Sequence, residues 1–260
     1  MSVLDRFRLD GRTAVVTGAG RGLGERMATG LAEAGADIAV ADIDADNGAE
    51  TATAIADDTG VATTAVQTDV TSEADVEAMV DHTTDELGPV DILVNNAGIV
   101  ENVPAESMSV DEWTRVLDVN LTGVFLCAKH VGDQLLDRSE PGSIVNIASM
   151  SGHIANYPQP QAGYNASKSG VAGLTRSLAS EWATDGIRVN AIAPGYMRTD
   201  MVDETLADNP EMEETWRSDT PMGRLGRPSE LGPVAVFLAS EASSYMTGEI
   251  VFVDGGFTIR

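Results

Sequence analysis

Short apolar, β-branched runs alternate along the chain with longer stretches whose apolar residues recur every three or four positions. The first pattern reads as strand and the second as helix. Strands are expected at Thr13–Thr17, Asp37–Asp42, Ala62–Gln67, Val90–Val94, Ile144–Ala148, Ile187–Ala193 and Ile250–Val253. Between them, Glu25–Ala34 carries Met27, Leu31 and Ala34 at helical spacing. Thr71-Ser72-Glu73-Ala74-Asp75 opens another helix with acids in its first turn. Ser109–Arg138 contains a long helix whose stripe of Trp113, Val116, Leu117, Leu121, Val124, Phe125 and Ala128 is interrupted by Asn120. A helix from about Gly163 buries Val171, Leu174, Leu178 and Trp182, and Pro228–Ser240 forms a last one. Such alternation predicts an α/β fold, a doubly wound parallel sheet of about seven strands with helices on both faces. Residues 196–220 break the rhythm. They are polar and acidic, with a short helix at Asp203–Trp216, and they follow a strand's C-terminal end, which marks a candidate lid. With no linker and no internal repeat, residues 1–260 read as one domain.

Composition narrows the class. At 43% hydrophobic the chain has ample material for a core, yet no apolar run approaches the ~18 residues of a membrane span. The opening MSVLDRFRLDGR has no apolar core of a secretion signal. Cys127 is the single cysteine, so no intrachain disulfide forms, which fits a reducing interior and a cytoplasmic protein. The charge balance changes the picture more. Against 41 Asp+Glu stand 16 Lys+Arg, a formal net charge of −25, and Lys129 and Lys168 are the only lysines. A field of that sign repels phosphate backbones and argues against nucleic acid as a partner. The acids are spread from Asp42 to Glu214 rather than gathered in a tail. Spread acids with scarce lysine look like proteins of organisms living in high salt, where screening relieves self-repulsion.

Candidate chemistry lies where expected strands end. Thr13–Thr17 runs into Gly18-Ala19-Gly20-Arg21-Gly22-Leu23-Gly24 and then a helix. That context lets a backbone turn tightly and hold a pyrophosphate at a helix N-terminus. Asp42 ends the second strand about 20 residues on, the place of an acid that binds a ribose 2′-hydroxyl. A carboxylate there repels a 2′-phosphate and favours NAD over NADP, while Arg21 is a counter-signal that would attract one. Asp69, in Thr68-Asp69-Val70, either reaches an adenine edge or caps the next helix. Asn95-Asn96-Ala97-Gly98 is either a strand-terminating turn or a close approach for a cofactor. Tyr164 and Lys168 stand four apart, on one face of a helix's first turn. An ammonium and the positive end of a helix dipole both favour a phenolate, which can take a proton from an alcohol or return it to a carbonyl. Ser149 follows a strand end, where a hydroxyl can hold the reacting oxygen. Asn120 is either satisfied by neighbouring backbone or braces a water or Lys168. With three His, one Cys and no spaced cluster, no metal site is expected.

Together these residues resemble the short-chain dehydrogenase/reductase family over nearly the whole chain. TGAGRGLG at Thr17–Gly24, NNAG at Asn95–Gly98, Asn120, Ser149, YNASK at Tyr164–Lys168, PG at Pro194–Gly195 and VDGG at Val253–Gly256 match its motifs in order. The resemblance implies a Rossmann-like sheet and a homotetramer built through the long helices that start near Ser109 and Gly163. It makes Tyr164 the acid/base and has Lys168 lower its pKa and bind the nicotinamide ribose. Ser149 holds the substrate oxygen, and Asn120 supports a proton relay through water. It brings NAD against Gly18, Arg21, Gly22, Leu23, Gly24, Asp42, Asp69, Val70, Asn96, Ala97, Gly98, Tyr164, Lys168, Pro194, Gly195, Met197 and Thr199.

The stretch from Ser149 to Tyr164 is longer than in most members, with the excess in Asn156-Tyr157-Pro158-Gln159-Pro160-Gln161. That segment is similar to members acting on sugars and polyols, and the altered spacing makes Ser151 a rival to Ser149. Ser149, Ser151, His153, Asn156, Gln159, Tyr164 and Tyr196 are the candidate contacts to a small hydroxylated substrate. The polar loop residues among them also serve as caps of turns around Pro158 and Pro160. The expected activity is NAD-dependent interconversion of a secondary alcohol and a ketone. The alternatives are a 3-oxoacyl-thioester reductase and a non-catalytic nucleotide-sensing protein on the same fold.

The charge yields a prediction. Four subunits with 25 surplus negative charges each would assemble about 100. At 0.15 M salt the Debye length is about 8 Å, so acids across an interface repel; at 1 M it is about 3 Å. Assembly, thermal midpoint and activity should all rise as KCl goes from about 0.1 M to about 2 M. Light scattering read beside activity checks this, and a fully active assembly at low salt that gains nothing from KCl defeats the high-salt reading.

Overall fold

Strand β1 (Thr13–Thr17) is buried at every position, which is why its sequence shows no polar alternation. It is flanked on both sides by parallel partners. Val15 pairs with Ala39 of β2 (Asp37–Asp42) and with Leu93 of β4 (Ile92–Asn95). The computed structural model describes residues 2–259; Met1 and Arg260, the ends of the expected domain, lie outside the described residues. Seven parallel strands run in the order β3-β2-β1-β4-β5-β6-β7, with β3 at Thr63–Gln67, β5 at Gly142–Ile147, β6 at Ile187–Pro194 and β7 at Ile250–Val253. The chain winds outward from β1 to β3, then crosses back to lay β4 on the other side of β1. The crevice beyond β1 and β4 is therefore the topological switch point, where open parallel sheets bind ligands.

Parallel neighbours need crossover connections, and helices supply them on both faces. On one face, α1 (Gly22–Glu33), α2 (Ala45–Thr59) and α9 (Gly232–Ala239) pack through Met27, Leu31, Ile55, Leu231 and Leu238. On the other, α3 (Glu73–Leu87), α5 (Gly123–Arg138) and α6 (Ala162–Trp182) pack through Met79, Val131, Leu135 and Leu178. Each such side chain, fully buried, stabilises by roughly 1.5–3 kcal/mol. Helices α1 and α9 cross at Gly30 and Gly232, so closely that a Cβ on Gly30 would lie 3.0 Å from Gly232 Cα.

Several elements differ from expectation. Helix α1 starts at Gly22, not Glu25, because the glycine turn itself forms the helix's first turn. Helix α2 was not among the expected elements: Asp44 caps it by accepting from the Asp46 and Asn47 N–H groups, but its buried face offers little beyond Ala52 and Ile55. The expected long helix is α4 (Val110–Leu117) and α5 joined by a π-helical turn at Asp118–Thr122, with Asn120 inside it. The 196–220 stretch holds two helices, α7 (Asp200–Asp208) and α8 (Pro210–Asp219), divided where Pro210 opens α8 at its first turn. They share a small core of Leu206, Trp216 and Leu225. The last helix is shorter than Pro228–Ser240, since Pro228–Glu230 forms a separate 3₁₀ turn. No helix among the described residues is long and apolar enough to cross a membrane.

Candidate active site

At the switch point, Asn96 ties the end of β4 to the glycine turn. Its Nδ2 donates to Thr17 O (3.0 Å) and Gly18 O (2.8 Å), while the Asn96 and Ala97 N–H groups donate to Thr17 Oγ1. A Cβ on Gly24 would lie 2.3 Å from Gly18 O, so only glycine lets the helix start this close to the strand. Gly22 has φ +67° and open space around it, so its reason is conformation. The first-turn N–H groups of α1, at Gly22, Leu23 and Gly24, have no intrahelical acceptor and offer a cradle for an anion. Arg21 beside them is exposed and makes no ion pair among the described residues. Asp42 ends β2 at the rim of this turn, with Oδ2 accepting from Gly20 N (2.7 Å) and Oδ1 from Asp44 N (3.0 Å). Each oxygen keeps acceptor capacity for a hydroxyl. The donor set fits a dinucleotide.

Farther along the rim, Asp69 accepts at Oδ1 from both the N–H and the hydroxyl of Thr71, while Ser72 caps α3. Val70 is buried against Gly123, at the start of α5. On the β6 side, the Gly195 N–H donates to Val253 O, and a Cβ there would meet Asp254 Cα at 2.7 Å. After Pro194-Gly195, Met197 is buried over Gly226, and Thr199 caps α7 by accepting from Val202 N.

The candidate reacting groups gather beyond β5. Lys168 is 4% exposed and donates from Nζ to Ile147 O (2.7 Å), with Nζ 5.7 Å from the Tyr164 ring centroid. Gly98 backs onto it, since a Cβ there would lie 3.6 Å from Nζ. Burial pushes the Lys168 ammonium down to about 8. Burial also pushes the Tyr164 phenol above its ordinary value, and a hydrogen bond with Ser149 opposes that rise. In the free protein, then, the phenol stays protonated near neutrality. Ser149 donates to Ser151 Oγ (3.0 Å) and accepts from Ser151 N, so Ser149 faces Tyr164 and the buried Ser151 supports it from behind.

Asn120 is fully buried and fully engaged. Its Oδ1 accepts from Ile99 N, and its Nδ2 donates to Ile99 O and Ser167 Oγ. Ser167 in turn donates to Tyr164 O (2.7 Å). The amide is satisfied by backbone and braces the first turn of α6, not Lys168 directly. Ser167 escaped the sequence reading, although it sits inside the YNASK motif. Beneath the site, Asn95 donates to Asn146, which donates to Thr175. The signal for Asn146 was a lone amide in an apolar strand.

The loop residues before Tyr164 meet one another. Asn156 Nδ2 and Gln159 Nε2 both donate to the Tyr196 hydroxyl, and Trp216 Nε1 donates to Gln159 Oε1. Tyr196 stacks on Trp216, with centroids 3.9 Å apart and planes at 6°. His153 is exposed and its ring meets that of Phe252 in a T-shaped arrangement. Cys127 lies apart, a buried thiol pushed up to about 12. A cavity of about 580 Å³ opens at the other end of the sheet, lined by Arg12, Asp91, Ser143 and Arg188, and includes none of the expected site residues. Among the described residues no group of three or more His, Cys, Asp or Glu is placed to hold a metal.

A family model described as enoyl-(acyl carrier protein) reductase matches residues 18–258. The galactitol 2-dehydrogenase of Rhizobium johnstonii is 48% identical over 260 residues, covering 99% of each chain. A solved short-chain type dehydrogenase/reductase from Mycobacterium marinum is 44% identical, with a TM-score of 0.95 over 100% of both chains. A gluconate 5-dehydrogenase from Burkholderia cenocepacia, solved in complex with NADP and tartrate, is 40% identical, with a TM-score of 0.93 over 100% of both chains.

The buried lysine makes stability depend on pH. Below about 8, Lys168 is charged in both folded and unfolded chains and burial of the charge opposes folding. Between about 8 and 10.5 the unfolded chain holds the proton and the folded one does not, so this lysine's contribution becomes more favourable as pH rises. The thermal midpoint of the wild type minus that of Lys168→Met should therefore increase from pH 7 to pH 10. Parallel pH profiles for the two proteins would refute the buried, shifted amine.

Proposed function

This chain belongs to the short-chain dehydrogenase/reductase family, and from that premise we propose that it interconverts a secondary alcohol and a ketone of a sugar or polyol with NAD. It is an oxidoreductase of CH–OH groups that uses a nicotinamide cofactor. The observation that carries the mechanism is the convergence of Ser149, Tyr164 and Lys168 at the end of β5, beside the switch point. When bound, the nicotinamide supplies or accepts the hydride. The chain's residues do the rest. The glycine turn and the N-terminus of α1 hold the pyrophosphate, Asp42 the adenosine ribose, and Lys168 the other ribose. Ser149 fixes the substrate oxygen, and Tyr164 takes its proton in oxidation or returns one in reduction. Lys168, charged below about pH 8, favours the phenolate that burial alone disfavours. Asn120 holds the turn that carries Tyr164.

Asp42 supports NAD: it stands at the ribose position and a 2′-phosphate would meet its charge. The sugar or polyol assignment rests on the galactitol enzyme's identity over the full chain and on the polar loop before Tyr164. An acyl carrier would want a basic docking patch. Around the entrance, Arg198, Arg217, Arg224 and Arg227 are each already paired with a carboxylate. That disfavours the thioester-reductase alternative. Helices α7 and α8 serve as the lid. Exposed Val110, Trp113 and Phe125 on α4 and α5 support assembly into a homotetramer through those helices.

Tyr164→Phe should fold and bind the cofactor but lose turnover by at least ~10²–10⁴-fold, the usual worth of general acid–base help. Steady-state assays over a panel of polyols and sugars measure this, and near-normal turnover in a folded variant would end the mechanism. Asp42→Ser should narrow the ratio of kcat/KM for NAD over NADP. A wild type that already prefers NADP would show that Arg21 outweighs Asp42.

A further inference from the structure

We propose that Gln159 is a positioning residue: it latches helix α8 of the lid to the loop that leads into Tyr164, and so sets how tightly substrate is held. The proposal rests on reading residues 196–220 as the cover of the site. Gln159 is 5% exposed, and a buried amide must satisfy both of its ends. Its Nε2 donates to the Tyr196 hydroxyl (3.1 Å), and its Oε1 accepts from Trp216 Nε1 (3.3 Å). Asn156 from the same loop donates to the same hydroxyl (3.2 Å). Tyr196 lies at the root of the lid, just after β6, and Trp216 lies on α8, so one side chain reaches both. The stacked rings lock the arrangement, and Trp216 anchors the lid's small core with Leu206 and Leu225.

At its root the lid is held by backbone bonds between Tyr196 O and Gly226 N and between Arg198 N and Gly226 O, whereas its ion pairs join lid residues to one another. Arg198 pairs with Asp203 and Glu213 and Arg217 with Glu214, all at half-exposed or exposed positions, where each pair is worth about 0–1 kcal/mol and less in salt. The buried hydrogen bonds on Gln159 keep their strength in salt, and the one to Trp216 is lost when α8 moves away. The same loop starts at Ser149 and ends at Tyr164. Lid position and the placing of both reacting side chains are therefore coupled through one amide. The extra residues of this loop have a role here that requires no direct contact with substrate.

The test compares wild type, Gln159→Leu and Trp216→Phe, the last of which keeps an aromatic ring on Tyr196 but removes the indole N–H together with its five-membered ring. Gln159→Leu should raise the KM for the best polyol about 10-fold, the scale of losing one or two net hydrogen bonds, while kcat changes far less. Amide deuterium exchange across α8, measured without substrate, should speed up by a similar factor. Trp216→Phe should show a smaller change of the same kind. The double variant should show less than the sum of the two, because both remove one shared bond. Unchanged exchange in α8 of a folded Gln159→Leu protein, or full additivity, would overturn the latch. Faster exchange with an unaltered KM would overturn its role in holding substrate. A wild type inactive on every polyol and sugar would refute the substrate reading, and the exchange data would still decide the latch.

Discussion

The amide of Asn96 bridges the ends of β4 and β1, and the glycine turn at the switch point depends on that bridge. A parallel sheet that winds both ways leaves a crevice where the direction changes, and a crevice has no ladder of its own to hold its lips. Two carbonyls and one hydroxyl of Thr17 and Gly18 are taken up by Asn96 and Ala97. The glycine turn is thereby fixed before any ligand arrives. Its conformational entropy is spent on folding and not on binding. Asp42 reinforces the same turn by accepting from Gly20 N, so the residue proposed to face the ribose also shapes the loop proposed to face the phosphates.

The other half of the site follows the same logic. The first turn of α6 is held from one side by Asn120 through Ser167, and from below by Lys168 on Ile147 O. Each bond is worth only about 0.5–1.5 kcal/mol net, but an unmade buried one costs about 1–3 kcal/mol. The network is therefore stable when complete and intolerant of partial loss. Its cost is visible in the titration of its members: a lysine brought down toward 8 and a tyrosine pushed up, each by removal from water.

How much of this was legible in the sequence depends on the range over which residues act. The glycine turn, Asp42 and the Tyr164–Lys168 spacing are local patterns, and each lies where strand and helix periodicity place it. Helix α2 was hard to see because its buried face is mostly small residues. The partners of Asn120 and Gln159 were not legible. Ser167 and Trp216 lie far away in sequence, and nothing in composition pairs one amide with one hydroxyl or one indole. Ser149 and Ser151 could not be separated by spacing either. The structure separates them by depth, one facing the phenol and the other behind it.

The π-helical turn at Asp118–Thr122 has a geometric consequence. A regular helix advances about 100° per residue, so one residue taken up in a wider turn moves every later side chain by about that angle around the axis. The stripe read along Ser109–Arg138 is thus two stripes out of phase. Val116 faces inward before the turn and Val124 after it, whereas Trp113 and Phe125 remain partly in solvent. The rod of helix thereby keeps one buried face across a break in sequence phase, and the slip falls at Asn120, whose side chain turns inward to reach Ile99 and Ser167.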